Sequence, residues 1–439
     1  MVKAAVTIST ALAAISVGPG GFGYDPVDRA LTVETMRPAT MNRIAYISPN
    51  GELFTSSPDG ADAVQLTGLI EVEQHQGGLL GQSSVQGLLF AWPTWSPDSA
   101  KLAASRVLLK DGTTEMSVQV VELRTRTFTT VYRNQVPSLV TDRAPHYIYW
   151  APDSKTLSFL AAGTGSVNLY LWDSVSGSDP VAIESDSPLY YQWAVDSGSM
   201  ILHAGAEVKV RMFHPAGMEE RISVDARGFR VPAFSPDGSQ VAYVGDTSRG
   251  GALFIAPTDN LGSSQQIMEV AAFSAFLWSP DGSMLAVADQ STTGTPLFER
   301  LVLVPVTGGK QQELVAERIM AFFWAPTGER IAWAAVDSQQ GQVEWVVAPI
   351  LGGEKQRLFR FRPSTEMLTL LSFFDQYAYS NTLWSPDGTA LVVAGIGEES
   401  SNHRNGSGPS GSRIYVLDAV DGGKPQPIAA GSVACWSWS

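Results

Sequence analysis

The sequence predicts an all-β chain folded as an eight-bladed β-propeller, and three observations carry that prediction. An aromatic residue followed by a Ser-Pro-Asp-Gly-like turn and an apolar run recurs eight times. Successive copies stand at similar intervals. The first and last repeats are incomplete in complementary ways. The fullest copy is Trp278-Ser279-Pro280-Asp281-Gly282, followed by Met284 to Ala288; variants begin at Trp95, Trp150, Trp193, Phe234, Trp324 and Trp384, and Trp436-Ser437-Trp438-Ser439 ends the sequence. The phrase reads as a hairpin. The aromatic closes one strand, proline fixes φ in the turn, aspartate bonds its own backbone, and glycine supplies a left-handed residue before the next strand. The anchors lie 55, 43, 41, 44, 46, 60 and 52 residues apart, a period of the length expected of solenoids and propellers.

Length and composition fit this reading. A repeat running from residue 42 to 439 makes one propeller domain, with residues 1–41 as a leader or tail. Hydrophobic residues form 44% of the chain and charged ones 16%, enough to bury a core. The net charge of −14, without a Lys/Arg-rich run, argues against nucleic acid as a partner. Cys435 is the only cysteine, so neither an intrachain disulfide nor a cysteine-based zinc site is available.

In chain order, Ala4 to Val17 is an apolar stretch the length of a signal-peptide core, with Ala11-Leu12-Ala13 as a cleavage-like pattern. It points to an extracytoplasmic, periplasmic or cell-surface location and is too short to span a bilayer comfortably, so no transmembrane span is expected. The alternative is a plain N-terminal tail. Gly18 to Gly23 and Gly406 to Gly411 match G-x-G-x-x-G but lack the strand-to-helix setting a dinucleotide site needs, and read as linkers.

From Asn42, Arg43 to Ser48, Glu52 to Ser56 and Ala63 to Leu66 read as three strands without an opening strand, and Ser432 to Trp438 as an opening strand with nothing after it. Pairing the two fragments would close the ring and remove two exposed edges. Residues 67–88 and 397–412 are connecting loops rich in Gly with Gln or Ser. Further strands are expected at Leu89 to Trp95, Lys101 to Leu109, Glu115 to Leu123 and Thr127 to Tyr132, and in the same order in later repeats.

One insertion, Pro363 to Tyr379, is apolar and aromatic. Ser364 or Thr365 is placed to cap a short helix with Met367, Leu370, Leu371 and Phe374 on one side. It reads either as a docking surface or as a cover over the core; Phe373, Phe374, Tyr377 and Tyr379 are the candidate binding residues, since displayed aromatics dominate interface energy.

Trp-Ser-Pro-Asp-Gly followed by a hydrophobic strand, at Trp278 and Trp384 and more loosely elsewhere, resembles the repeat of TolB-like β-propellers, also called WD40-like or PD40 repeats. The resemblance implies the fold and leaves function open among envelope binding modules, gating domains of prolyl-oligopeptidase-type enzymes and sugar-acid lyases. No separate α/β domain fits before residue 42, and the G-x-S-x-G elbow of the peptidases is missing, so neither a Tol-Pal role nor serine-peptidase chemistry is carried over.

A metal-dependent lyase would need several ligands facing one channel. The histidines are His75, His146, His203, His214 and His403; His146 is the best placed, and His203 reads as a core residue. The repeat aspartates (Asp98, Asp153, Asp196, Asp237, Asp281, Asp387) read as turn formers. No catalytic residue, metal or cofactor is assigned. The expected function is a non-catalytic scaffold binding a protein partner or small ligand at one face of the ring. The alternatives are a channel-centred lyase or hydrolase acting on sugars and a structural subunit of a larger complex.

Overall fold

The computed structural model describes residues 42–67, 85–110, 113–134, 145–163, 165–213, 218–222, 230–248, 250–271, 273–290, 297–397 and 411–439. The expected leader or tail, most of the two long loops, and His75, His214 and His403 lie outside these residues.

Strands succeed one another as antiparallel neighbours. β1 (Ile44–Ile47), β2 (Leu53–Ser56) and β3 (Val64–Gln65) come first, then β4–β7 (Val85–Trp95, Lys101–Lys110, Thr113–Glu122, Thr127–Arg133) and β8–β11 (Pro145–Trp150, Thr156–Ala162, Val167–Asp173, Val181–Asp186). β12–β15 (Leu189–Trp193, Ser199–Ala204, Glu207–Met212, Met218–Ile222), β16–β19 (Ala233–Phe234, Gln240–Thr247, Gly250–Pro257, Gln265–Val270) and β20–β23 (Ser274–Trp278, Met284–Asp289, Arg300–Pro305, Gln312–Val315) repeat the pattern. β24–β27 (Ile319–Trp324, Arg330–Asp337, Gln342–Pro349, Gln356–Pro363) precede two helices, α1 (Thr365–Ser372) and α2 (Phe374–Tyr377), and β28–β31 (Ala390–Gly397, Arg413–Asp418, Gln426–Ala430, Val433–Trp436) end the chain.

Among the described residues these strands form six four-stranded sheets and one of seven strands, β24 to β30. This all-β arrangement fits a β-propeller. β31 pairs with β1, Ile44 opposite Trp436 and Ile47 opposite Val433, which makes the order of the first sheet β3-β2-β1-β31.

The seven-stranded sheet arises from the insertion. The chain leaves β27 to form α1 and α2, and between α2 and β28 it makes only isolated bridges, Thr382 to Trp436 and Trp384 to Leu391. The upper part of β28 is thereby open on one edge, and the end of β27 covers it, pairing Phe361–Pro363 with Gly397–Gly395.

Each hairpin after an anchor is built the same way. In the fullest copy, Asp281 Oδ1 accepts from Ser279 Oγ at 2.6 Å and from the Ser283 N–H at 3.0 Å, and Gly282 takes φ +70°. The same carboxylate contacts recur at Asp98, Asp237 and Asp387, while Asp153 and Asp196 accept from the N–H two residues on. Hydrogen bonds from Ser235 and Ser239 hold the Asp237 carboxyl down at about 2. The aspartates therefore serve the turns.

Three copies carry serine where the others have glycine: Ser99, Ser154 and Ser197, at φ +57°, +59° and +61°. A left-handed conformation strains a residue with a Cβ, but two of these serines also join turns. Ser154 Oγ accepts from the Asp98 N–H and Ser197 Oγ from the Asp153 N–H, both at 2.9 Å.

The anchors link neighbouring sheets. The indole N–H groups of Trp278, Trp324 and Trp384 donate to the carbonyls of Ala233, Leu277 and Phe323, and that of Trp95 to Cys435. Each acceptor is the residue just before the preceding anchor, so one bond recurs from sheet to sheet. The Trp193 indole uses Ser158 Oγ instead, at 3.0 Å. The Trp150 indole N–H is buried without a partner. Its counterpart strand β4 is distorted there: its register with β5 shifts between Ala91 and Thr94, and Trp92 has φ +55°.

Candidate functional site

The site is assembled by the insertion. Ser364 caps α1 by accepting from the Met367 N–H at 3.0 Å, and its hydroxyl donates to the Ser432 carbonyl at the start of β31. Met367, Leu370 and Leu371 are fully buried. α2 then lies among rings brought by other sheets and loops: Phe374 meets Phe298, Phe322 and Phe323, and Tyr377 stacks on Trp92 and meets Tyr147 edge-on. Two hydrogen bonds fix the insertion to distant strands, Tyr147 Oη to the Gln376 carbonyl at 2.9 Å and Asn381 Nδ2 to the Pro93 carbonyl at 2.8 Å.

The four candidate binding residues therefore separate. Phe374 and Tyr377 are 1% and 6% exposed, so neither is displayed; an apolar run on one helical side was buried by the strands around it. Phe373 is half-buried at the end of α1 and packs against the same core. Tyr379 alone of the four lines a cavity.

Two cavities, of about 320 and 230 Å³, share Ala378, Tyr379 and Trp438 as a common wall. The larger is bounded by Trp95, Tyr149 and Trp150, with Pro97 and Pro152 from the turns that follow these anchors. The smaller is bounded by Trp278, Trp324 and Trp384, with Pro326 and Pro386 in the corresponding places. Both thus lie at the turn end of the anchor strands. Their polar side chains are Ser380, Asn381, Thr382, Ser437 and the two tyrosines. Among the described residues no carboxylate, histidine, lysine or arginine lines either cavity. Burial raises the Tyr149 and Tyr379 phenols far above their usual range, so both remain neutral donors, and Tyr379 Oη has no partner. Such walls offer flat apolar faces and a few neutral hydrogen-bonding groups.

Asp375, at the start of α2, is one of two carboxylates of the insertion, with Glu366 in α1. Burial pushes its carboxyl up to about 7, and Tyr190 and Tyr379 face it. His203 is buried, with Nδ1 2.7 Å from the Arg230 carbonyl oxygen, in keeping with a core role. His146 lies in β8. Among the described residues no three His, Cys, Asp or Glu side chains gather as a metal-binding group. Sequence reasoning missed Trp438 and the cavity face of the anchors, which it assigned to packing alone. The available signal was the proline two residues after six of the anchors, which sets a second apolar side chain beside each.

No helix among the described residues is long and apolar enough to cross a membrane. The chain matches no family model and no curated protein. Solved structures do align with it. Dihydro-heme d1 dehydrogenase NirN in complex with DHE is 13% identical, with a TM-score of 0.55 over 92% of this chain and 77% of that one. Oligogalacturonate lyase from Vibrio parahaemolyticus is 15% identical, TM-score 0.48, over 80% and 87%. TolB from Acinetobacter baumannii is 13% identical, TM-score 0.41, over 77% and 83%. The lyase and TolB are β-propellers; at these identities the likeness is one of fold.

Proposed function

We propose that the chain is an eight-bladed, TolB-like propeller, closed by its C-terminal strand and filled at its centre by its own insertion, that acts as a non-catalytic binding scaffold. Eight blades result from counting the seven-stranded sheet as two, β24–β27 and β28–β30 with Trp384 as the reduced inner strand. Hydrogen bonds between successive anchors and the pairing of β31 with β1 support closure. The scaffold takes an uncharged, ring-bearing group of a protein partner or small ligand at the turn end. The apolar stretch Ala4 to Val17 supports an extracytoplasmic location.

The observation that carries the function is the lining of the two cavities: tryptophan, tyrosine and proline faces with, among the described residues, no carboxylate, histidine, lysine or arginine. Among the described residues, the groups offered there to general acid–base chemistry are two phenols that burial keeps neutral, whereas flat neutral walls suit stacking. A channel-centred sugar lyase or hydrolase would need titratable groups converging where Phe322, Phe323, Phe374 and Tyr377 now pack.

The test uses N-phenylnaphthylamine, an uncharged fluorescent aromatic. Ala378 belongs to both cavities, so Ala378→Leu should lower the dye's affinity at least ten-fold with little change in melting temperature. Failure of the protein to take the dye, or dye binding that ignores the substitution, would defeat the proposal.

A further inference from the structure

The cavities have neutral walls but acidic surroundings. Pro97 and Pro152 of the larger cavity are each followed at once by an exposed aspartate, Asp98 and Asp153, and Pro386 of the smaller by Asp387; adjacent residues stand about 3.8 Å apart at Cα. All six repeat aspartates are exposed. Each lies in the turn that follows an anchor, so carboxylates from separate turns are displayed at the end where the cavities open.

Cations do not offset them. Within the six residues after each anchor from Trp95 to Trp384, Glu329 joins the aspartates and only Lys101, Lys155 and Arg330 oppose them, so acids outnumber bases seven to three. Lys101 is already engaged: its Nζ donates to the Ser154 carbonyl at 3.2 Å and lies 5.6 Å from the centre of the Trp150 ring. The turn bonds at Asp98 and Asp387 fall on Oδ1, which leaves Oδ2 to accept from a cation without opening the turn.

Resting on the cavity reading above, we infer that the occupant is a basic peptide segment of a partner protein, its aromatic side chains in the cavities and its lysines or arginines at the aspartates beside them. Rings leave water for the tryptophan and tyrosine walls, while the cations stay hydrated next to the carboxylates. Each exposed ion pair is weak, so the rings supply most of the affinity and the acidic surround selects the sign of the partner and speeds its encounter. An extended chain suits this arrangement better than a small molecule does, because the two cavities share a wall and the carboxylates around them come from turns far apart in sequence.

The probe is a fluorescein-labelled peptide, Gly-Lys-Trp-Lys-Gly-Lys-Trp-Lys-Gly, read by anisotropy with the full chain. It should bind and displace N-phenylnaphthylamine. Its affinity should fall at least ten-fold when glutamate replaces its lysines, when alanine replaces its tryptophans, or when salt rises from about 20 to about 300 mM. Asp98→Asn/Asp153→Asn/Asp387→Asn keeps an oxygen acceptor in each turn and removes three charges; with its melting temperature retained, this variant should lose about ten-fold in peptide affinity. Should it unfold, the salt and peptide-composition measurements decide on the unmodified chain. Dye binding without displacement by the peptide, or equal affinity for the glutamate peptide, overturns the basic-segment assignment while leaving the cavities as a binding site. Equal affinity for the alanine peptide would reduce the contact to charge alone. Displacement of the dye by phenethyltrimethylammonium at concentrations no higher than the peptide's would make the occupant a small organic cation, and a dimer in sedimentation that the dye dissociates would make it a second copy of the chain; any of these three results also overturns the assignment. No dye binding to the chain overturns the cavity reading itself.

Discussion

Trp438 donates its indole N–H to the carbonyl oxygen of Trp95 at 3.2 Å, across 343 positions of sequence, while the Trp95 indole donates to the carbonyl of Cys435 at 3.3 Å. The reciprocal bonds clasp the last residues against β4. Burial around this clasp is deep enough to push the Cys435 thiol up to about 12. Removing residues 432–439 would uncover the edge of β1 and leave the Trp95 indole without its acceptor. The expected result is loss of the single cooperative thermal transition, monitored by circular dichroism at increasing temperature. A truncated chain unfolding in one step at the original temperature would refute the closure.

The helix-bearing insertion should behave as core. Phe374→Ala removes a ring packed among Phe298, Phe322 and Phe323 and should cost about 3–5 kcal/mol. Phe373→Ala, at a half-buried position, should cost less than about 2 kcal/mol. Denaturant titration of both variants checks the order. Similar small losses would mean that Phe374 is displayed after all.

The recurring indole bond can be tested at one link. Trp324→Phe keeps an aromatic anchor and removes the N–H that Leu277 accepts, so stability should fall by about 1 kcal/mol. Trp150→Phe, whose indole N–H has no partner, should cost measurably less by the same titration.

The serine turns make a finer distinction. Ser197→Ala deletes the bond from the Asp153 N–H yet keeps the left-handed strain at φ +61°. Ser197→Gly deletes the bond and relieves the strain. The alanine variant should therefore be less stable than the glycine variant by roughly 1 kcal/mol. The reverse order, read from thermal unfolding, would show that the strain is not stored there.

Asp375 should impose a pH dependence. Its folded carboxyl keeps the proton until about pH 7, because it is buried, whereas the unfolded chain gives that proton up near its ordinary value of 3.8. Between these values the unfolded state binds fewer protons, so stability falls as pH rises through the window. Asp375→Asn, neutral throughout, should match the original chain at pH 4 and exceed its melting temperature by a few °C at pH 8. A constant difference across that range would remove Asp375 as the cause.

Much of the architecture was readable in advance because a propeller repeat is local. Strand, tight turn and strand fit within one phrase, and the sequence around Trp278 alone prescribes the hairpin of Ser274–Trp278 and Met284–Asp289. The pairing partner of Ser432 to Trp438 was also legible, since an opening strand without followers and three strands without an opener complement each other. The N-terminal cap of α1 at Ser364 was readable for the same local reason.

What the sequence by itself determined, then, was the hairpin unit, its repetition and the place of the helix. Tertiary structure alone decided where the insertion lies, that Phe374 and Tyr377 are enclosed while Tyr379 reaches a cavity, and that anchors serving as packing residues also form walls. Local pattern reports which side of an element is apolar, but whether that side meets water or another sheet depends on neighbours such as Trp92 and Tyr147, which lie hundreds of residues away and leave no mark on the insertion's own sequence.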